Sequence, residues 1–349
     1  MSLSTLTIGN LRCIARAELE LQPTHNLVWG ANGSGKTSFL EAVYLLGRGR
    51  SFRTRNTERL IRLGEQQLTV VGRVGEQTLG VQVARGMPTL GRAGGAYVSS
   101  LAELSQAFPV QAIDPSVHKL IEDTAQRRRR WLDWAVFHVE PGFVETWSRY
   151  TRALRQRNAA LKEHPEQAFV WDVELARLGE QLGESRRVTL ERLQPYWSAL
   201  TTRMLGEVPS LAYVQGWTQE MSLLSALTSA RPGDLARGIT QVGPHRDDVR
   251  IRLERAAARD VLSRGQQKVV AISMILAQLR MLQDATGITP TLLLDDPSAE
   301  LDEARNAVLI EQVTSLNCQL IVTSLNPESS LLGRPQAAFH VEQGRVVPV

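Results

Sequence analysis

The chain has 349 residues, 43% hydrophobic and 22% charged, with a formal net charge of +4. That length and mix predict one large or two ordinary folded domains and exclude a disordered chain. The longest nearly apolar run, residues 269–277, is too short to cross a bilayer, and Cys13 and Cys318 lack the spacing of a disulfide framework or a zinc site.

In chain order, the first quarter reads as β-rich. Strands are predicted at 4–9, 18–21 and 25–29, then at 67–74 and 78–84 after an intervening helix. Leu19 and Leu21, like Val81 and Val83, alternate with the period of half-buried strands. From about 115 to 204 the pattern turns helical. Trp147, Tyr150, Leu154 and Leu161 form one stripe. Trp171, Leu175, Leu178, Leu182, Leu190, Leu193, Trp197, Leu200 and Met204 form another. Their steps of three and four, with one of eight, predict a long helix pair whose seam carries a stutter. Pro195 is expected to kink or interrupt its second half. After about 238 the α/β pattern returns, with a strand at 249–253, a helix at 264–283, a buried strand at 291–294, a helix from 302 and a buried strand at 319–323. The fold class expected is α/β, a mixed sheet with flanking helices, built from 1–112 and 239–349. A mostly helical domain, 113–238, is inserted into it.

The strongest motif is Gly30-Ala31-Asn32-Gly33-Ser34-Gly35-Lys36-Thr37, which satisfies G-x-x-x-x-G-K-[ST] between a short strand and an apolar-striped helix. Glycines let the backbone amides turn toward phosphate oxygens, and the helix N-terminus adds partial positive charge. Lys36 should reach the β and γ phosphates of ATP, and Thr37 should offer its hydroxyl to Mg2+. The apolar strand 291–294 ends at Asp295 and Asp296, where Asp295 suits the metal side and Asp296 the orienting of an attacking water. Ser263 with Gln266 makes a capping box. With Gly265 it offers a second anion site and resembles the L-S-x-G-Q signature of ABC-type ATPases, in which two heads clamp one ATP. Pro297, Ser298, Ala299, Glu300, Leu301 and Asp302 match the loop that links the two sites across such a dimer. Thr323 stands where many ABC-type ATPases carry a γ-phosphate-sensing histidine. Gln111 is the candidate for the glutamine that senses Mg2+ and γ-phosphate.

Further segments carry a closer resemblance. They are Gly49-Arg50-Ser51-Phe52-Arg53, Asp114-Pro115, Arg128-Arg129-Arg130-Trp131-Leu132-Asp133, Arg157-Asn158-Ala159-Ala160-Leu161 and Gly243-Pro244-His245-Arg246-Asp247-Asp248. Spread from end to end, they make the chain similar to the RecF family of bacterial recombination-mediator ATPases, related to SMC proteins. The resemblance implies an ABC-type P-loop ATPase head, an inserted helical arm and an ATP-dependent homodimer. It also implies binding to double-stranded and gapped DNA, RecO and RecR as partners, RecA loading in gap repair and the SOS response, and a role in replication-fork maintenance. The chain departs from the family's D-D-x-x-S-E-L-D run in having Ala299 for serine.

Hydrolysis of an ATP that glues two copies should loosen the pair. Asp296 replaces the more usual glutamate with a shorter side chain, so a slow ATPase is expected. Nearly all positive charge is arginine, since only Lys36, Lys119, Lys162 and Lys268 are lysines. Arginine suits phosphate contacts, although a genome rich in G and C gives the same bias. The candidates for DNA are Arg48, Arg50, Arg53, Arg55, Arg128 and Arg129. The rival functions are a transporter's ATP-binding subunit, which the long helical insertion argues against, and a structural SMC-like dimer with negligible hydrolysis. The N-terminus shows no secretion signal, so a cytoplasmic protein without a membrane partner is expected.

Overall fold

The computed structural model describes residues 2–297, 303–329 and 332–349. The elements begin with β1 (Leu3–Leu11), β2 (Ile14–Glu20), β3 (His25–Trp29), α1 (Lys36–Arg48), β4 (Gln67–Val74), β5 (Gln77–Ala84), β6 (Leu90–Ala93), β7 (Ala96–Tyr97), α2 (Ala102–Ala107) and β8 (Val110–Ile113). They continue with α3 (Lys119–Glu122), α4 (Ala125–Val139), α5 (Phe143–Glu163), α6 (Asp172–Leu205), β9 (Ser210–Val214), α7 (Leu223–Arg237), β10 (Asp248–Leu253), β11 (Ala256–Ala257), α8 (Ala258–Val261) and α9 (Arg264–Thr286). The last are β12 (Thr291–Leu294), α10 (Glu303–Thr314), β13 (Gln319–Ser324), β14 (Ala337–Glu342) and β15 (Arg345–Pro348).

The chain divides into two compact units, one formed by its ends, up to Val117 and from Thr286, the other by His118–Ala285. In the first, the sheet β15-β14-β3-β13-β12-β8 is parallel except for β15, and the sheet β2-β1-β4-β5-β6-β7 is antiparallel. Every residue of β12 and β13 is buried, as expected of parallel strands covered on both faces, which read as unbroken apolar runs. The helix α1 is buried nearly all round, because its Phe39, Leu40, Val43 and Leu46 join a core shared with Leu6 and Val70 of one sheet and Val28, Leu293 and Ile321 of the other.

The second unit is mostly helical around the small antiparallel sheet β11-β10-β9. It takes in residues 239–285, which the sequence placed with the first. The reason is pairing: β10 is hydrogen-bonded to β9, and α9 is tied to α4 through Trp131 Nε1, which donates to the Met274 carbonyl at 3.3 Å.

The helix pair is α5 and α6, and three details differ from expectation. Trp147 is 46% exposed and off the seam, which is lined instead by Tyr150, Ala153, Arg157 and Leu161. Pro195 lies inside α6 without ending it. The eight-residue step from Leu182 to Leu190 is filled by Arg186, a buried cation bonded to Asp133 at 2.8 Å and Asp247 at 2.7 Å. Arg157 is likewise fully buried, between Asp172 at 2.8 Å and Asp234 at 2.7 Å.

Candidate nucleotide site

The phosphate loop leaves the end of β3 and returns as α1. Glycine is required at Gly30, where a Cβ would lie 2.2 Å from the Val341 carbonyl oxygen, and at Gly35, where φ is +122° and a Cβ would meet Cys13 Sγ at 2.9 Å. Ala31, Asn32 and Gly33 are exposed at the crest. Ser34 Oγ is buried without a hydrogen-bond partner. The first turn of α1 has no side-chain cap and no acid, so its amides and its dipole are left for an anion. Lys36 Nζ donates to the carbonyls of Gly30 at 2.6 Å and Ala31 at 3.0 Å. Burial lowers its pKa, with Asp296 and Asp295 acting the other way.

The acids stand beside this loop. Thr37 Oγ1 donates to Asp295 Oδ2 at 2.9 Å. Asp295 is buried, and loss of water raises its pKa, while hydrogen bonds from Thr323 and Thr37 pull it down and nearby Asp114 pushes it up. Asp296 has a left-handed backbone, φ +48°, and its N–H donates to Thr323 Oγ1 at 2.9 Å. A hydroxyl and a carboxylate facing one another are the hard oxygen donors that Mg2+ takes.

Gln111 is buried in β8, and in the parallel register it lies opposite Leu292, three residues upstream of the acids that begin at Asp295. The residue beyond β8 that approaches them is Asp114.

A buried carboxylate missed by sequence reasoning organises the neighbouring loop. Glu41, fully buried in α1, accepts hydrogen bonds from Ser51 Oγ at 2.5 Å and Arg12 Nη2 at 3.0 Å, and Arg53 Nη1 lies 4.0 Å away. Ser51 Oγ in turn accepts the N–H groups of Arg53 and Thr54 at 2.9 and 3.1 Å. An acid in the middle of an apolar helix is the one signal that could have found it. The loop holds Arg53 near enough to Asp295 to favour the ionised acid.

The other arginines separate into two groups. Arg50, Arg53 and Arg55 are exposed, whereas Arg48 is half-buried over the Tyr44 ring, its pKa lowered by burial to about 10. Arg128 corrects the expectation made for it. Its guanidinium is taken by both carboxylate oxygens of Asp248, at 2.8 and 3.1 Å, and by the carbonyls of Ile121 and Asp123. Arg129 donates to the Asp247 carbonyl and is half-buried.

In the second unit, Ser263 and Gln266 form the capping box reciprocally. The Ser263 N–H donates to Gln266 Oε1 at 2.9 Å, and the Gln266 N–H donates to Ser263 Oγ at 3.3 Å. A Cβ on Gly265 would meet nothing within 4 Å, so the backbone there is open to approach. Ser298, Ala299, Glu300, Leu301 and Asp302 lie outside the described residues.

Residues 2–344 match the family model described as the RecF/RecN/SMC N terminal domain. The DNA replication and repair protein RecF of Pseudomonas fluorescens (strain SBW25) is 38% identical over 99% of this chain and 98% of its own length. This chain belongs to the RecF family. The RecF of Pseudomonas entomophila (strain L48) is equally similar, at 38% identity and the same coverage. Among solved structures, the recombination mediator protein RecF-ATP of the RecFOR pathway has a TM-score of 0.91 and 26% identity, with 99% of this chain and 97% of that one covered. An Smc head bound to the C-winged helix domain of ScpA has a TM-score of 0.61 at 14% identity, covering 100% of this chain and 98% of that one. The fold is thus the α/β ABC-type ATPase head of RecF and SMC proteins, with a mostly helical second part. Among the described residues, no helix is long and apolar enough to cross a membrane.

Proposed function

We propose that this RecF-family chain is a DNA-repair ATPase that binds ATP with Mg2+, pairs with a second copy on doing so, and holds double-stranded DNA near single-strand gaps. With RecO and RecR it promotes RecA loading in gap repair and the SOS response, and it serves replication-fork maintenance. The observation that carries the reading is the 2.9 Å hydrogen bond from Thr37, at the start of the helix after the glycine-rich loop, to the buried Asp295 carboxylate, which supports a shared phosphate and metal site. Family membership and the ATP named with the related RecF structure support it.

Each residue has a distinct task. The loop amides from Gly30 to Thr37 and the Lys36 ammonium hold the β and γ phosphates. Thr37 and Asp295 would hold magnesium, which when bound neutralises charge on the phosphates. Asp296 orients water for in-line attack, with a carboxylate one methylene shorter than glutamate and so a slow turnover. Ser263, Gly265 and Gln266 of a second copy contact the γ-phosphate from the opposite side. The exposed Arg50, Arg53 and Arg55 contact DNA phosphates without reading sequence.

The test is retention on a gapped duplex with ATP, with ADP and with no nucleotide. ATP should raise affinity for the wild type and leave Lys36→Ala unaffected. Equal affinity in all three conditions would contradict the proposal.

A further inference from the structure

The strand β13 runs between β3 and β12, and its last two residues touch both halves of the nucleotide site. The Ser324 carbonyl accepts the Gly30 N–H at 3.3 Å, at the entry to the phosphate loop. The Thr323 hydroxyl, 1% exposed, donates to Asp295 Oδ1 at 2.8 Å and accepts the Asp296 N–H at 2.9 Å. A hydroxyl can donate one bond and accept others at once, and no apolar side chain of the same shape makes either. The second bond is made to Asp296 in a left-handed conformation, φ +48°, which residues bearing a side chain rarely adopt.

We infer that Thr323 is a positioning residue for ATP hydrolysis. It fixes the direction of the Asp295 carboxylate and the backbone turn that aims Asp296, so the two acids stay in register with the phosphate loop. The inference rests on the nucleotide reading given above. It assigns Thr323 a task different from sensing the γ-phosphate, since its hydroxyl is committed to the acids.

The experiment uses the full chain with Thr323→Val, which keeps the shape, and Thr323→Ser, which keeps the hydroxyl. Affinity for a fluorescent ATP analogue without Mg2+, the Mg2+ concentration giving half-maximal tightening of that binding, kcat at saturating ATP and the melting temperature are measured for each. Thr323→Val should bind the analogue within about twofold of wild type, need more Mg2+, and lose about tenfold to a hundredfold in kcat, the cost of misplacement on the order of 1 Å. Thr323→Ser should recover most of that loss. A melting temperature that shows Thr323→Val unfolded transfers the comparison to Thr323→Ala, with the same loss expected. Wild-type kcat in the variant lacking the hydroxyl, or a folded Thr323→Ser as slow as Thr323→Val, would overturn the inference. A wild type that binds no ATP would overturn the nucleotide reading itself, and this inference with it.

Discussion

Thr37 and Asp295 are 258 positions apart in the chain and lie within 2.9 Å through a hydroxyl–carboxylate hydrogen bond. The strand order β3-β13-β12 brings them together. Because these strands are parallel, their carboxyl ends open on one edge of the sheet, and the loops that leave that edge carry the reactive groups.

Asp296 sits next to this contact and is assigned the attacking water. Asp296→Asn keeps the size and removes the charge, so nucleotide affinity should stay near that of wild type while kcat falls by about 10²-fold or more, the usual worth of such a group. The wild type itself should turn over more slowly than about 10 per second, the median for enzymes. A phosphate-release assay checks both. An unchanged rate in Asp296→Asn would remove the residue from the mechanism.

The arginines divide by exposure, with Arg50 and Arg55 open to solvent and Arg128 buried. Arg50→Ala or Arg55→Ala should lower DNA affinity and reduce the slope of log affinity against log salt by about 1 for each phosphate that the arginine neutralises. Arg128→Ala should instead act on stability, because Asp248 loses a two-pronged partner. Fluorescence anisotropy across a salt series, beside urea unfolding, separates the two effects.

Arg157 is the most buried cation of the second unit, at 0% exposure between Asp172 and Asp234. Arg157→Met leaves two buried carboxylates short of a partner and should cost about 3–5 kcal/mol of stability. Arg231 also bonds Asp172, at 3.0 Å, so adding Asp234→Asn should recover part of the loss. Urea denaturation of the single and double variants measures it.

His245 predicts a pH dependence. Its Nε2 lies 3.0 Å from the Thr240 carbonyl, which can only accept, so the proton sits there and Nδ1 takes the Tyr150 hydroxyl at 2.7 Å. Burial pulls the His245 pKa down to about 4; the Thr240 carbonyl resists this, Arg246 and Arg129 add to the lowering, and Asp234 opposes it. The unfolded chain, with an ordinary histidine pKa near 6.5, therefore binds the proton first. His245 contributes its full stability above about pH 6.5, and that share is lost as pH falls toward 4, by up to about 3 kcal/mol. His245→Gln should lose less stability than wild type over that window. Parallel curves for the two proteins from pH 7.5 to 4.5 would show that His245 is not the group responsible.

Much of this was legible in the sequence because it is local. The phosphate loop, the strand ending at Asp295 and the Ser263–Gln266 box each declare themselves within a few residues, and each is found where its spacing put it. What escaped depends on partners far along the chain. Arg186 reads as a gap in an apolar seam, and only Asp133 and Asp247 explain why a cation is buried there. Glu41 reads as one polar position in α1 until Arg12 and Ser51 are placed around it. Trp147 fits the helical period, yet its face of α5 is left open to solvent.

The central claim is that one ATP is gripped from two sides by two copies of the chain. Sedimentation of the wild type with a non-hydrolysable ATP analogue, and of Ser263→Arg under the same conditions, tests it most directly. The wild type should sediment as a single copy without nucleotide and as a pair with the analogue, and Ser263→Arg should bind the analogue and stay single. A wild type whose mass is the same with and without nucleotide, or a Ser263→Arg variant that pairs as readily as wild type, would contradict it.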